Sequence, residues 1–307
     1  MALYDVIVVG GGAAGMTAAL YALRNGKSAL VLEKNGFGGQ ITHSPKVENY
    51  PGTLSMSGNQ FAESLFEQIV AQGADIEIET VSEVIDGEVK RVKTEEGSVY
   101  EGKTVILATG VKHRLLGLEK EAELIGEGIS FCAVCDGDFY TGKKVLVIGG
   151  GNSALQEAIL LSDKCSEVVI LQDMPILTGE VKLQKVLERR ENVSVHLNQR
   201  VISIHTDENG EFTGVRTFNK KEEAEEDYYA DGMFVAIGLI PENDIFRDLV
   251  TLDERGYFDS DEFCLTKAPG IFVAGDCRKK TVRQLTTAVA DGANAALAAC
   301  RYINERE

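Results

Sequence analysis

Positive charge is scarce in this sequence: 31 Lys and Arg stand against 48 Asp and Glu, a formal net charge of −17. Polyanion binding rests on concentrated cations that neutralise phosphates, so general DNA or RNA binding is excluded. Long apolar runs are missing as well, and no stretch is apolar for long enough to cross a bilayer. The first hydrophobic segment, Val6 to Val9, runs straight into glycines and lacks the basic start and long apolar core of a signal peptide. The expectation is a soluble, cytoplasmic protein. No tract is dominated by Pro, Gly or Ser, which excludes a long disordered arm. The four histidines, His43, His113, His196 and His205, share no metal-ligand spacing, and no second CxxC accompanies the first, so no closed metal site is expected.

What is present fits a globular chain. The 307 residues are 44% apolar and 26% charged, enough for two domains with a core each. The longest acidic run, Lys221 to Asp227, reads as a solvated hairpin or loop. In a reducing compartment six cysteines do not make a disulfide framework. Cys165, Cys264, Cys277 and Cys300 stand alone and read as small buried apolar residues.

One local pattern occurs twice. Tyr4 to Val9 reads as a buried strand, followed by Gly10-Gly11-Gly12-Ala13-Ala14-Gly15, a helix to about Asn25 with Gly26 at its end, and a strand from Ser28 to Leu32 that ends at Glu33. This is a dinucleotide fingerprint in its required setting. The glycines let the backbone approach a pyrophosphate, the helix start stabilises its charge, and an acid about 20 residues on binds ribose hydroxyls. The grammar returns as a strand from Lys144 to Ile148, the loop Gly149-Gly150-Gly151-Asn152-Ser153-Ala154, a helix from Leu155 to Ser162 and a strand from Val168 to Leu171. Here Gln172 takes the place of Glu33. An NADP site needs a cation for the 2′-phosphate, and none occurs before Lys182. Asp173 could serve NAD from the neighbouring position; the plainer reading is a retained fold whose nucleotide site has lost its ligand contacts.

Cys132-Ala133-Val134-Cys135 carries the chemistry. Two thiols separated by two residues close into a small reversible ring, and a turn entering a helix lowers one thiol's pKa so that a thiolate can attack. Asp136 adjoins Cys135, where partial burial would raise its pKa towards a working value; the plainer role for it is to cap a helix.

These residues resemble the low-molecular-weight thioredoxin reductases along essentially the whole chain. Gly38-Gly39-Gln40 and Glu48-Asn49-Tyr50-Pro51-Gly52 resemble that family's flavin-contacting loops, and Leu107-Ala108-Thr109-Gly110 its strand-to-crossover motif. Phe131 to Gly137 resembles its redox centre, and Gly275-Asp276 with Arg283-Gln284 and Ala288 its ribityl and isoalloxazine segment. The resemblance implies an α/β protein with two Rossmann-like nucleotide-binding domains: a discontinuous FAD domain from residues 1–114 and 244–307, and an inserted NAD(P)-like domain, 115–243, bearing the CxxC. His113 and Pro241 lie close to the two crossings, which would act as a hinge. FAD would be held by Gly10, Gly12, Ala13, Ala14, Gly15, Glu33, Lys34, Gly39, Gln40, Asn49, Ala108, Thr109, Gly110, Gly275, Asp276, Arg283, Gln284 and Ala288. Cys135 would face the flavin and form the transient adduct, Cys132 would exchange with thioredoxin, and Asp136 would move the proton. A homodimer is implied by the family alone.

The departure from the family matters equally. NADPH-using members carry an arginine-containing motif where this chain has Gln172 to Leu177. The sequence is closest to the ferredoxin-linked, pyridine-nucleotide-independent flavin thioredoxin reductases. The expected reaction takes electrons from reduced ferredoxin through FAD to Cys132–Cys135 and on to thioredoxin. Its retained Gly149-x-Gly151-x-x-Ala154 keeps an NADH- or NADPH-dependent thioredoxin reductase open, and a flavin redox sensor or binding module without turnover is the rival of another class. Arg278, Lys279, Lys280 and Arg283, with Lys112 and Arg114, read as a basic patch for an acidic electron carrier.

Overall fold

The computed structural model describes residues 2–307, which divide into two compact units, 2–112 with 240–307 and 113–239. The unit limits fall two residues before the expected first crossing and four before the second.

The first unit opens with β1 (Leu3–Val9), α1 (Ala13–Arg24) and β2 (Ala29–Leu32). It continues through α2 (Gly58–Ala71), β3 (Asp75–Glu77), β4 (Val81–Ile85), β5 (Lys90–Thr94) and β6 (Val99–Leu107). β1 is apolar at consecutive positions because both of its faces are buried, the signature of a central parallel strand. Val6 and Val8 enter one core cluster and Ile7 and Val9 the other, on opposite sides of the sheet. Burying each such side chain contributes about 1.5–3 kcal/mol. α2 starts at a capping box, in which the Ser57 hydroxyl accepts from the Gln60 amide and the Gln60 side chain accepts from the Ser57 amide. Such caps contribute about 1 kcal/mol.

After β7 (Lys112–His113) come β8 (Ile129–Ser130), α3 (Ala133–Asp136), β9 (Lys144–Ile148), α4 (Asn152–Ser162), β10 (Glu167–Gln172), α5 (Val181–Leu187) and β11 (Val193–Leu197). β12 (Gln199–Thr206), β13 (Phe212–Asn219) and β14 (Ala224–Tyr229) follow, then β15 (Gly232–Val235) and β16 (Leu239–Ile240). The chain closes with β17 (Ile271–Val273) and α6 (Leu285–Asn304). The acidic run at 221–227 lies in the β13–β14 hairpin.

Both units repeat one architecture. In the first, β3-β2-β1-β6-β17 is a parallel sheet, and the early half of β6 also pairs antiparallel with β5, which pairs with β4. In the second, β11-β10-β9-β15-β8 is parallel and β12-β13-β14 forms an antiparallel sheet. The two-domain Rossmann-like α/β reading is what the chain adopts. α4 begins three residues earlier than expected, because Gly151 is extended and takes the N-cap position that Gly12 takes for α1. α6 runs five residues past its expected end at Ala299. No helix among the described residues is long and apolar enough to cross a membrane.

Candidate functional site

In the first unit the Gly10–Gly15 loop leaves the C-terminal end of β1 and enters α1. Gly10 has φ +108°, and a Cβ there would lie 2.4 Å from the Ala108 carbonyl oxygen. A Cβ on Gly15 would lie 1.8 Å from the Gly10 oxygen, so the loop closes on itself with no room for a side chain. Gly12 caps α1 with extended backbone and no side-chain partner, so the first amides of α1, including those of Ala13 and Ala14, point out of the helix start. Glu33, at the end of β2, accepts from the Gly11 amide at 2.6 Å and the Asn35 amide at 3.0 Å. Loop, helix start and acid thus meet as the fingerprint requires. Lys34, next in the chain, is ion-paired with Glu242 at 2.5 Å.

The far end of the chain returns to this loop. A Cβ on Gly275 would lie 2.8 Å from the Ala14 Cβ. Asp276 is half-buried there, and its buried Oδ1 has no hydrogen-bond partner; Lys280 Nζ stands 3.5 Å away and bonds to Asp291 at 2.9 Å. Burial pushes the Asp276 carboxyl above its usual range. A buried oxygen without a hydrogen bond beside a dinucleotide cradle fits a hydroxyl-bearing ligand chain, which would supply the missing donor. Asn49 Nδ2 donates to Gln284 Oε1 at 3.2 Å, joining two distant residues singled out from sequence. Gln284 is the N-cap of α6, and Ala288 is partly buried one turn on. Thr109 donates to Asn243 Oδ1 at 2.8 Å, beside Ala108 and a Gly110 with φ +67°. Asn243 is 1% exposed and donates to the Gly256 and Cys277 carbonyls. No spacing signal marked Asn243, since all its partners are distant in sequence. Gly39 and Gln40 are exposed at the start of a short 3-10 helix, Gly39–His43.

The expected basic patch is not a free surface. Arg278 is 7% exposed and reaches Asp291 at 2.7 Å, Ser260 and the Asp261 carbonyl. Arg283 donates to the carbonyls of Asp276, Lys280 and Arg278 and stacks on Tyr257, 4.1 Å from the ring centre. Lys112 pairs with Glu242. Lys279 is the one member of the 278–283 cluster that projects, 3.7 Å from Asp259. These cations staple the Gly275 loop to α6 and to the carbonyls around it.

In the second unit Cys132 and Cys135 are joined as a disulfide, with Cα atoms 5.3 Å apart. Cys132 is the N-cap of α3, and its sulfur accepts from the Cys135 amide at 3.2 Å. Asp136 does not cap a helix through its side chain. Oδ2 accepts from the Ser130 hydroxyl at 2.6 Å, and that hydroxyl accepts from the Cys132 amide at 3.1 Å. Oδ1 is buried without a partner. Burial raises the Asp136 pKa, and the Ser130 hydrogen bond partly offsets it. Ser130 escaped the sequence reading because nothing about a serine two residues before a cysteine signals a carboxylate contact. The four remaining cysteines are buried and unpaired.

The second fingerprint keeps its loop but not its ligand groups. Gln172 is buried, lies against the loop at Gly150 and donates to the Ile176 carbonyl at 3.2 Å. Asp173 is ion-paired with Lys220 and, at 3.5 Å, with Arg200.

The family profile described as pyridine nucleotide-disulphide oxidoreductase matches residues 4–292. The chain is 38% identical over 303 residues to a thioredoxin reductase of Bacillus subtilis (strain 168), covering 99% of this chain and 96% of that one. It is 37% identical over 300 residues to the 34.2 kDa protein in rubredoxin operon of Clostridium pasteurianum, covering 97% of each. Among solved structures, the thioredoxin reductase from Streptococcus pyogenes MGAS5005 superimposes with a TM-score of 0.93 at 36% identity, over 99% of both chains. With a cradle that fits a dinucleotide and a CxxC that fits disulfide exchange, the chain belongs to the pyridine nucleotide-disulphide oxidoreductases and, within them, to the low-molecular-weight thioredoxin reductases, whose cofactor is FAD.

Proposed function

We propose that this chain reduces thioredoxin through Cys132 and Cys135 and draws its electrons from reduced ferredoxin. FAD, when bound, takes electrons one at a time and hands them on as a pair, the conversion needed between a one-electron carrier and a disulfide. Gly10, Gly12, Gly15 and the Ala13 and Ala14 amides would hold its pyrophosphate, Glu33 its ribose and Asp276 its ribityl chain. Lys34, Gly39, Gln40, Asn49, Ala108, Thr109, Gly110, Gly275, Arg283, Gln284 and Ala288 complete the proposed contacts.

Once the disulfide has taken up two electrons and two protons, Cys132 is the attacking sulfur, because the Cys135 amide already donates to it and favours the thiolate. Its sulfur forms a bond to one sulfur of the thioredoxin disulfide, the partner's S–S bond breaks, and the leaving sulfur takes a proton. Cys135 then attacks Cys132, re-forming the internal disulfide and releasing thioredoxin as a dithiol. Asp136, raised by burial, takes the Cys135 proton and returns it in the next cycle.

The donor assignment rests on the second fingerprint. Gln172 bonds to the Ile176 carbonyl, and Asp173 engages Lys220 and Arg200, so neither a free acid for a ribose nor a free cation for a 2′-phosphate is offered there. The name of the Clostridium relative ties it to the operon of another electron carrier, which suits a protein donor. The retained Gly149 loop, with φ +128°, favours the rival donor NAD(P)H. Anaerobic mixing with reduced ferredoxin, NADH or NADPH, followed by flavin bleaching, separates the two. Bleaching by ferredoxin alone, followed by thioredoxin reduction, is expected. Rapid bleaching by micromolar NADPH overturns the donor, and bleaching with no thioredoxin reduction marks a redox sensor. Four buried, unpaired cysteines suit a reducing cytoplasm. The homodimer is proposed on family grounds and is read by light scattering.

A further inference from the structure

α4 carries a half-buried acid, Glu157, that the reaction above does not use. Gly137 packs on α4 so closely that a Cβ there would lie 3.4 Å from Leu161 Cδ2. Glu157 lies one turn before Leu161 and shares its helix face, and Asp136 directly precedes Gly137. The two carboxyl groups therefore lie on neighbouring elements, near enough for the Asp136 charge to push the Glu157 pKa up. Each has one buried oxygen with no hydrogen-bond partner, Oε2 of Glu157 and Oδ1 of Asp136, and among the described residues neither has an ion-pair partner. Of the cations nearby, Lys164 pairs with Asp138 and Lys143 lies over the Tyr140 ring. The other titratable groups on this side are Tyr140, itself pushed up by burial and by Asp136, and beyond it Asp231 and Cys165. Two carboxylates that each keep a buried oxygen without a donor resist being ionised together.

We propose that Glu157 is a positioning residue for the disulfide chemistry: with Asp136 it forms one carboxyl pair that holds a single proton at neutral pH, so that Asp136 is reprotonated from inside the protein. The inference rests on the disulfide-reductase reading. Opening Cys132–Cys135 breaks one S–S bond with two electrons from the reduced cofactor and needs two protons. The pair's one proton passes through Asp136 to the first thiolate; solvent recharges the pair, and Asp136 gives the second proton to the other sulfur by the same route. Burial, with the Asp136 charge, pushes Glu157 up to about 8, which agrees with a pair that keeps its proton through neutrality.

The test is Glu157→Gln, which keeps shape and hydrogen-bonding capacity but cannot titrate. In the wild type, kcat for thioredoxin reduction should fall on the alkaline side with a midpoint near pH 8. In the variant the fall should move to lower pH, giving a several-fold loss at pH 8, little loss at pH 6 and an unchanged KM for thioredoxin. A purely structural role would lower kcat equally at every pH and overturns the proposal, as does an alkaline limb that stays in place. Infrared spectroscopy of the wild-type holoenzyme, with the disulfide reduced chemically, supplies a second readout that needs no donor, acceptor or folded variant. A protonated-carboxyl band at pH 7 that titrates near pH 8 is expected, and its absence overturns the pair. If the band behaves so while no donor supports thioredoxin reduction, the proton pair stands and the reading of function fails.

Discussion

Ser130 holds two parts of the redox centre together, donating to Asp136 and accepting from the Cys132 amide. Its hydrogen bond favours ionised Asp136 against the opposing effect of burial. Ser130→Ala should therefore raise the Asp136 pKa, leave more of it protonated at neutral pH and move the alkaline fall of kcat upward, which a pH-rate profile reads directly. Asp136→Asn removes the proton carrier and should slow thioredoxin reduction by about 10²–10⁴-fold, the usual range for a lost general acid–base, with the flavin spectrum intact. Glu157 acts on stability as well as on rate. Its carboxyl stands at about 8 in the fold against an ordinary 4.5, so between those values the folded chain holds a proton that the unfolded chain has lost. Stability should fall as pH rises through that window, by up to about 1.4 kcal/mol per pH unit. Glu157→Gln should flatten this slope and melt higher than the wild type at pH 8, as calorimetry from pH 5 to pH 8 would show.

Helices α1 and α6 show which features of the site a sequence exposes. The glycines of 10–15, the acid at 33 and the cysteines at 132 and 135 were legible because each depends on neighbours at fixed short spacing, and the repeat of strand, loop and helix revealed two nucleotide-binding units. Gly292 was not legible. A Cβ there would lie 2.2 Å from the Ala14 carbonyl oxygen, so its small size is demanded by a helix nearly the whole chain away. Asn243 and Ser130 stayed hidden for the same reason: ordinary residue types acquire their roles only from tertiary partners. The cluster at 278–283 failed in the opposite direction, since its charges were visible while Asp291 and Tyr257, which occupy them, were not. Gly292→Ala must push α6 away from the start of α1, where the Gly10–Gly15 cradle begins. Overpacking of this kind costs about 1–3 kcal/mol. The variant should purify with a lower flavin-to-protein absorbance ratio and melt earlier, while the Cys132–Cys135 thiols still react with a small disulfide once chemically reduced.

Over the whole molecule, internal pairing of the basic cluster leaves a net charge of −17 with little local relief where a carrier was expected to dock. Steering by a positive patch makes association fall as salt rises, because ions screen an attraction. Repulsion between two acidic proteins does the reverse. With Arg278, Lys280 and Arg283 engaged by Asp291, Asp276 and backbone carbonyls, the second case applies to an acidic ferredoxin. The second-order rate of flavin reduction by ferredoxin should therefore rise as ionic strength increases from about 0.01 M to about 0.1 M, as the screening length shrinks from about 30 Å to about 10 Å. Charge reversal of Lys279, the one projecting cation of the 278–283 cluster, should change that rate by less than the salt does. A rate that falls steeply over the same range would mean that a positive surface elsewhere steers the carrier. Arg114, which is exposed, is the cation to reverse next.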